Sequence, residues 1–287
     1  MDRKSGWTWV MVLVGMTFFI LGVQISNRIH MPAYLDYVSS AEAAETGESK
    51  VASHIKAGDE LTKDPKTVKN LEKAVQEYEA ALKIDPNNFD ALWKAALAYV
   101  LIIDIKTDAL IVEKDENKPL LEDMGKKALD YAEKAYKINP KNKEVVAVNL
   151  RAYAYYSASM GIVTAIFKGA AGHYKELANE LIALDDKYES GLGYSFLGRL
   201  YHVSPWPVGS SKKSMENYLK ALKVNDKKLE THYWLGVLYL DDKEYDKAKN
   251  EFEYVVNNPP IEFEKAWIAA FKDDAKKKLE VIKEKQK

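Results

Sequence analysis

The sequence predicts an all-α fold, a solenoid of stacked helix pairs that follows an N-terminal apolar helix. Four segments repeat one arrangement of small and aromatic residues at helical spacing, and a proline or an aspartate ends each segment. An uncharged run near the N-terminus predicts a membrane-spanning or export segment. With 287 residues and 47% hydrophobic content, the chain can build one sizeable core or a repeat array.

Charge and cysteine content exclude several functional classes. The 42 Lys and Arg residues nearly balance the 43 Asp and Glu residues, so the basic excess of nucleic-acid-binding proteins is missing. Without cysteine, the chain has no disulfide, no Cys-ligated metal, no thiol catalysis and no acylated-cysteine lipoprotein anchor. The five histidines are scattered, and no metal-pair, nucleophile-elbow or phosphate-loop motif occurs. We therefore predict a non-enzyme that uses neither a cofactor nor a metal.

The N-terminus is predicted to direct the chain to a membrane. An uncharged run extends from Trp7 to Val23, after Arg3 and Lys4. Spanning a bilayer takes about 20 apolar residues, whereas the apolar core of a cleaved signal peptide has roughly 7 to 15. Residues 1–26 are interpreted as a signal anchor, with a cleaved signal peptide or a buried core helix as alternatives. Because the positive residues precede the run, the rest of the chain is predicted to lie in the periplasm, at the inner membrane.

The repeat defines the remainder of the chain. The four segments begin at Lys73, Lys127, Lys213 and Asp246. In each, a spacing of four and then three residues puts the small and aromatic positions on one helix face. The small positions Ser214 and Ala248 lie 34 residues apart, the tetratricopeptide (TPR) period. We predict a TPR-type α-solenoid over residues 51–287 with a C-terminal capping helix, preceded by a flexible tether of small, polar residues at 27–50.

The first helix of each TPR pair lines the concave groove of such a solenoid, and the repeat register gives candidate groove residues. These are Trp93, Leu97, Arg151, Tyr155, Arg199, His202 and Tyr233. Arg151 and Arg199 occupy the same position in consecutive repeats. Their guanidinium groups predict a clamp for a carboxylate, since arginine donates in a planar fork. The alternative is that each arginine pairs with a nearby Glu or Asp.

Two further features concern apolar residues. The segments that start at Ala95 and Ala152 are unusually apolar. They indicate either ordinary solenoid core, an oligomer interface, or a pocket for an apolar ligand. The loop "SPWPVG" lengthens the turn between two helices of one repeat. We expect Trp206 in this loop to lie at a rim where a partner docks on the indole, with a role as a cap of the core as the alternative.

The segments "ALKIDPNNFDALWKAALAYVL", "YAYYSASMGIVTAIFKG" and "LGRLYHVSPWPVGSSKKSMENYLKAL" resemble the TRAP transporter T-component family of TatT-like TPR proteins, between Val68 and Ile261. The resemblance implies a periplasmic protein that works beside a TRAP-type solute-binding protein in uptake of organic acids or apolar ligands, and a homo-oligomer. The layout is also similar to the regulator-of-microtubule-dynamics TPR proteins. The alternative function is a general TPR scaffold for assembly of envelope protein complexes, since TPR grooves commonly hold peptides.

Overall fold

The computed structural model describes residues 31–63, 67–110 and 114–287, which form helices joined by turns and contain no strand. The α-helices of these ranges are α1 (Met31–Leu61), α2 (Val68–Ile84), α3 (Phe89–Thr107), α4 (Lys118–Ile138), α5 (Lys143–Ser159), α6 (Ile162–Phe167), α7 (Ala170–Leu184), α8 (Leu192–Val203), α9 (Ser211–Val224), α10 (Leu229–Asp241), α11 (Tyr245–Asn257) and α12 (Ile268–Lys285). The predicted apolar span, Trp7–Val23, lies outside the described residues. Within the described ranges, no helix is long and apolar enough to cross a membrane.

Within residues 31–50, the described part of the stretch, the structure has a helix where the sequence predicts a flexible tether at 27–50. Helix α1 begins at Met31 and continues through this stretch to Leu61. The residues from Ala33 to Thr46 include neither glycine nor proline, and several are alanine or glutamate, which have high helix propensity. The small, polar composition that predicts a tether is therefore equally compatible with a helix.

Polar side chains fix where several helices begin. Thr67, Asn88, Asn142 and Ser210 each accept a hydrogen bond from a backbone N–H three residues further on, at the starts of α2, α3, α5 and α9. Such an N-cap stabilises a helix by about 1 kcal/mol. Asn88 and Asn142 belong to the "DPNN" and "NPKN" turns of the repeat, so the turns that end one helix also start the next.

The small and aromatic positions of the repeat meet between paired helices. A Cβ atom added to Gly198 in α8 would lie 2.6 Å from the ring of Tyr218 in α9. One added to Gly236 in α10 would lie 2.9 Å from the ring of Phe252 in α11. Tyr218 and Phe252 are both fully buried. Glycine is therefore required at these two positions because an aromatic ring occupies the volume that a side chain would need.

The regular stacking is interrupted at three places. A turn after α3 has left-handed φ angles of 51°, 50° and 53° at Asp108, Ala109 and Leu110. The six-residue helix α6 lies between Gly161 and Gly169, whose φ angles of 82° and 89° suit glycine. A third irregular stretch, residues 261–267, joins α11 to α12 and will be called the 261–267 segment. All three contribute to one cavity.

Candidate functional site

A cavity of about 170 Å³ is the candidate functional site. Its walls come from α3, α4, α5, α6, α7, α8, α10, the turn after α3 and the 261–267 segment. The apolar part of the lining includes Ala158, Tyr174, Phe196, Trp234, Phe263 and Trp267. An apolar cavity of about 150 Å³ is known to hold a benzene molecule, so this cavity suits an apolar group of the size of one ring.

Arg151 of α5 lies in the cavity wall and is paired with two carboxylates. It is 5% exposed. Its Nη2 donates to the carboxylate of Glu189, and its Nη1 lies 3.6 Å from Oδ2 of Asp104. Burial would lower the pKa of Arg151, but the charges of Glu189 and Asp104 outweigh burial and raise the pKa. At this position the structure has the ion pairs of the alternative interpretation, so Arg151 is not available as one half of a carboxylate clamp.

Tyr155 and Asp104 extend this buried network. The hydroxyl of Tyr155 donates to Oδ1 of Asp104. Burial raises the pKa of Asp104 to about 6, while the charge of Arg151 and the hydrogen bond from Tyr155 act in the opposite direction. The network therefore holds Arg151 and Tyr155 in fixed positions in the wall.

Arg199 of α8 lines the same cavity but differs from Arg151 in the partners of its guanidinium group. Its Nη2 donates to the backbone carbonyl of Leu110 at 3.3 Å, and its Nη1 is buried without a hydrogen-bond partner. Its Cζ lies 3.1 Å from the ring centroid of Trp234. No carboxylate among the described residues forms an ion pair with it. Burial lowers the pKa of Arg199, but an arginine keeps its charge at neutral pH. The cavity thus contains a cation without an anionic partner in the described part of the chain.

Glu230 in the first turn of α10 also lines the cavity. Its backbone N–H donates to Oε1 of Glu264 at 2.7 Å. Its own carboxylate has no hydrogen bond or ion pair with the residues that the structure describes. Burial raises the pKa of Asp104 and lowers that of Arg199, and the charge of Glu230 is among the further influences on both groups. Glu230 thus shares the cavity lining with Asp104 and Arg199.

Glu264 fixes the 261–267 segment against the start of α10. Its buried carboxylate accepts from the backbone N–H groups of Leu229 and Glu230, at 3.2 and 2.7 Å. Helix α10 lacks a side-chain N-cap of its own, so Glu264 supplies the acceptor that its N-terminus needs. Burial raises the pKa of Glu264 to about 7. This contact holds Phe263 and Trp267 in the cavity wall.

The other predicted groove residues do not line the cavity. Trp93 donates from its indole to Asp90 at 3.1 Å, and Leu97 is partly buried and packs against the core. His202 pairs with Asp241 at 2.9 Å. Tyr233 is 1% exposed and donates to Asp274 at 2.5 Å, so it lies in the core rather than in a groove.

Trp206 lies in the turn after α8 and is 87% exposed. It does not cap the core, because a capping residue would be covered by neighbouring side chains. The exposed position in the turn between the two helices of a pair agrees with a rim. Its role in docking a partner stays a prediction.

The sequence pattern missed most residues of the cavity region, among them Glu230, Trp234 and Glu264. An acidic residue in a first helical turn is ordinary, so Glu230 gave no distinctive signal. Trp234 directly follows Tyr233, which the repeat register assigns to the groove. A register shifted by one residue would have assigned Trp234 instead. Among the described residues, no group of three His, Asp or Glu side chains is placed to hold a metal ion.

Comparison with known proteins identifies the repeat. Residues 69–101 match the TPR repeat family, and residues 229–258 match the tetratricopeptide repeat family. No curated protein matches the chain. A thermophilic TPR protein of Thermus thermophilus has a similar structure, with a TM-score of 0.53 and 17% identity over 77% of this chain and 98% of that chain. The chain has a TPR solenoid fold, as the repeat predicts.

Two further solved structures are similar at lower scores. The pilF protein of Pseudomonas aeruginosa has a TM-score of 0.49 and 15% identity over 80% of this chain and 88% of that chain. The MamA protein has a TM-score of 0.47 and 18% identity over 72% of this chain and 90% of that chain. Neither likeness tests the resemblance to the TRAP T-component family, which stays a prediction.

Proposed function

We propose that this protein is a TPR-fold receptor for a small organic compound with a carboxylate and an apolar body, which binds in the cavity with its carboxylate beside Arg199. One observation carries the proposal: Arg199 is a partly buried cation without a carboxylate partner among the described residues, whereas Arg151 has two. An uncompensated charge in apolar surroundings costs several kcal/mol. A carboxylate bound there would recover this cost, which gives the Arg199 side of the cavity its preference for a negatively charged group.

The cavity also supplies groups that suit such a ligand. The guanidinium of Arg199 offers N–H donors in a plane, the arrangement that carboxylates accept best. The indole N–H of Trp267 is buried without a partner and is a further donor in the lining. Ala158, Phe196 and Phe263 provide apolar walls for the body of the ligand. Because Arg151 is already neutralised by Asp104 and Glu189, the cavity favours a single carboxylate over two.

The proposed role in the cell is accessory to solute uptake. The uncharged run Trp7–Val23 supports anchoring at the inner membrane with the TPR solenoid in the periplasm. The resemblance of the 68–261 region to the TRAP T-component family supports contact with a periplasmic solute-binding protein. An organic-anion cavity fits this role, because TRAP-type uptake serves organic acids.

Calorimetric titration with 3-phenylpropionate tests the binding proposal, since this probe joins one carboxylate to one ring. We expect Arg199→Gln to weaken binding about 10- to 100-fold while the helix content by circular dichroism stays unchanged. Lys212→Gln removes the same charge from an exposed position and should bind like the unchanged protein. The proposal is wrong if the unchanged protein binds none of 3-phenylpropionate, octanoate and L-phenylalanine, or if Arg199→Gln binds the same probe equally well.

A second candidate function is a TPR scaffold that docks a protein, and the 87% exposed Trp206 favours it. A photo-crosslinking amino acid at position 206 of the full-length chain, used in cells, identifies what contacts this loop. Recovery of a periplasmic solute-binding protein would support the transport role. Recovery of envelope assembly factors would support the scaffold instead.

A further inference from the structure

The cavity contains two charged groups of opposite sign that lack ionic partners among the described residues, and this restricts the ligand beyond the proposed function on which the inference rests. Arg199 is the cation, and Glu230 is the anion. The two side chains line the same cavity and form no ion pair with each other. Both charged groups are therefore open to pairing with a ligand in the cavity.

The remaining charges of the lining are already compensated. Arg151 pairs with Asp104 and Glu189. At the side of the cavity formed by α4 and the residues before it, Lys114 lies 3.6 Å from Glu116, and Lys118 lies 2.6 Å from Asp115. A ligand that satisfies the cavity thus needs one negative group, one positive group and no net charge.

We propose that the cavity binds a free α-amino acid with an apolar side chain. The ligand carboxylate accepts from Arg199, and its ammonium group donates to Glu230. The ring-sized volume among Ala158, Phe196 and Phe263 takes the side chain. The aromatic faces of the lining also favour a nearby ammonium through cation–π attraction. A carboxylate without an ammonium group would leave Glu230 unpaired and would be repelled by it.

A purely structural role for Glu230 has a different consequence. An acidic residue in the first turn stabilises a helix through the helix dipole, and this effect does not depend on any ligand. Ligand selectivity therefore separates the two roles, because only a binding role makes the preference for an ammonium group depend on Glu230.

The test compares three probes that share one ring: L-phenylalanine, 3-phenylpropionate, which lacks the ammonium group, and 2-phenylethylamine, which lacks the carboxylate. Calorimetric titration of the full chain should give about tenfold or greater preference for L-phenylalanine over each of the others. Glu230→Gln should abolish the preference over 3-phenylpropionate, because it weakens L-phenylalanine binding and relieves the repulsion of 3-phenylpropionate. Glu216→Gln, a change of the same charge in α9 outside the cavity lining, should leave all three affinities unchanged.

The possible outcomes separate this inference from the proposed function. If 3-phenylpropionate binds through Arg199 as tightly as L-phenylalanine, the amino-acid inference is overturned and the anion receptor stands. If Glu230→Gln weakens both probes equally, Glu230 supports the structure only, and the inference is overturned again. If none of the probes binds, both proposals are overturned. Selective loss of L-phenylalanine in Glu230→Gln supports the inference.

Discussion

The two segments that match known repeats, residues 69–101 and 229–258, fill space differently from the residues around the cavity. In the 229–258 repeat, the ring of Phe252 occupies the volume that the missing side chain of Gly236 leaves. Around the cavity, the small residues Ala158 and Ala165 face a volume that no aromatic side chain of the described residues fills. The cavity of this solenoid thus arises where small residues lack the aromatic partner that the repeat provides elsewhere.

The same two regions differ in where they place charge. In the repeats, tyrosine hydroxyls donate to carboxylates near the surface, as Tyr99 does to Glu79 at 2.9 Å. Around the cavity, Asp104, Arg151 and Glu264 are buried. Buried charges add little to stability and often reduce it. We infer that the repeats supply most of the stability of the fold, whereas the cavity region carries the groups that serve binding.

Removing an aromatic ring from each region tests this division and should have the largest effect. Phe252→Ala should lower the free energy of unfolding by about 3 to 5 kcal/mol, because it leaves a void in a closely packed core. Phe263→Ala, in the cavity wall, should cost only about 1 to 2 kcal/mol, since this partly buried ring has fewer buried contacts to lose. Urea unfolding measures both values. Equal losses would show that the cavity wall is as important to stability as the repeat core.

The sequence predicts the packing well and the pairing of charges poorly. Gly198, Gly236 and the aromatic residues that pack on them occupy repeat positions, which the residue spacing along each helix displays directly. Arg151 and Arg199 have the same register, yet only Arg151 is neutralised within the described part of the chain. Its partner Glu189 lies 38 residues further along the chain, in a turn without periodic signal. Pairing depends on such irregular turns, and a repeat pattern contains no information about them.

Tyr233 shows a second limit of prediction from the repeat. The register assigns it to the groove, but the structure buries it against Phe271 of α12, with ring centroids 4.9 Å apart. The capping helix thus covers a position that an inner repeat would leave open. The amphipathic pattern predicts that α12 caps the solenoid, but it does not predict which groove residues the cap removes from the surface.

The pH dependence of stability tests the electrostatic difference between the two regions. Burial raises the pKa of Glu264 to about 7, above the value of about 4.3 in an unfolded chain. The folded state therefore binds the proton more tightly, so this stabilisation is complete below pH 4 and is lost as the pH rises through 7. Ionising Glu264 should cost roughly 2 to 3 kcal/mol over this range. Urea unfolding at pH 4.5, 6 and 7.5 measures the change.

Glu264→Gln should flatten this profile, since glutamine does not titrate. The pH dependence of the free energy of unfolding that remains in this variant should come from Asp104, whose pKa is shifted in the same direction to about 6. Glu262→Gln, two residues earlier, changes an exposed carboxylate that pairs with Lys265 and should leave the profile as it was. If Glu264→Gln keeps the full slope, another group is responsible for the pH dependence.

Adding the same side chain to both regions gives a smaller effect and the most direct test of the comparison. Ala96 in α3 holds the repeat position of Gly198 and Gly236, and it is fully buried. Ala96→Leu should therefore cost about 1 to 3 kcal/mol through overpacking. Ala158→Leu places the same atoms in the cavity, so the free energy of unfolding should change by less than about 1 kcal/mol. Thermal and urea unfolding give both values.

The substitution that affects stability least, Ala158→Leu, should affect ligand binding most. Ala158→Leu fills volume that the ring of a bound probe needs, so calorimetric binding of L-phenylalanine or 3-phenylpropionate should be lost in a protein that is still folded. Ala96→Leu should bind both probes as before, in solutions where it is folded, because Ala96 does not line the cavity. If Ala158→Leu destabilises the fold as much as Ala96→Leu, the cavity is too small to accept a side chain. A ring-sized ligand would then be excluded for the same physical reason.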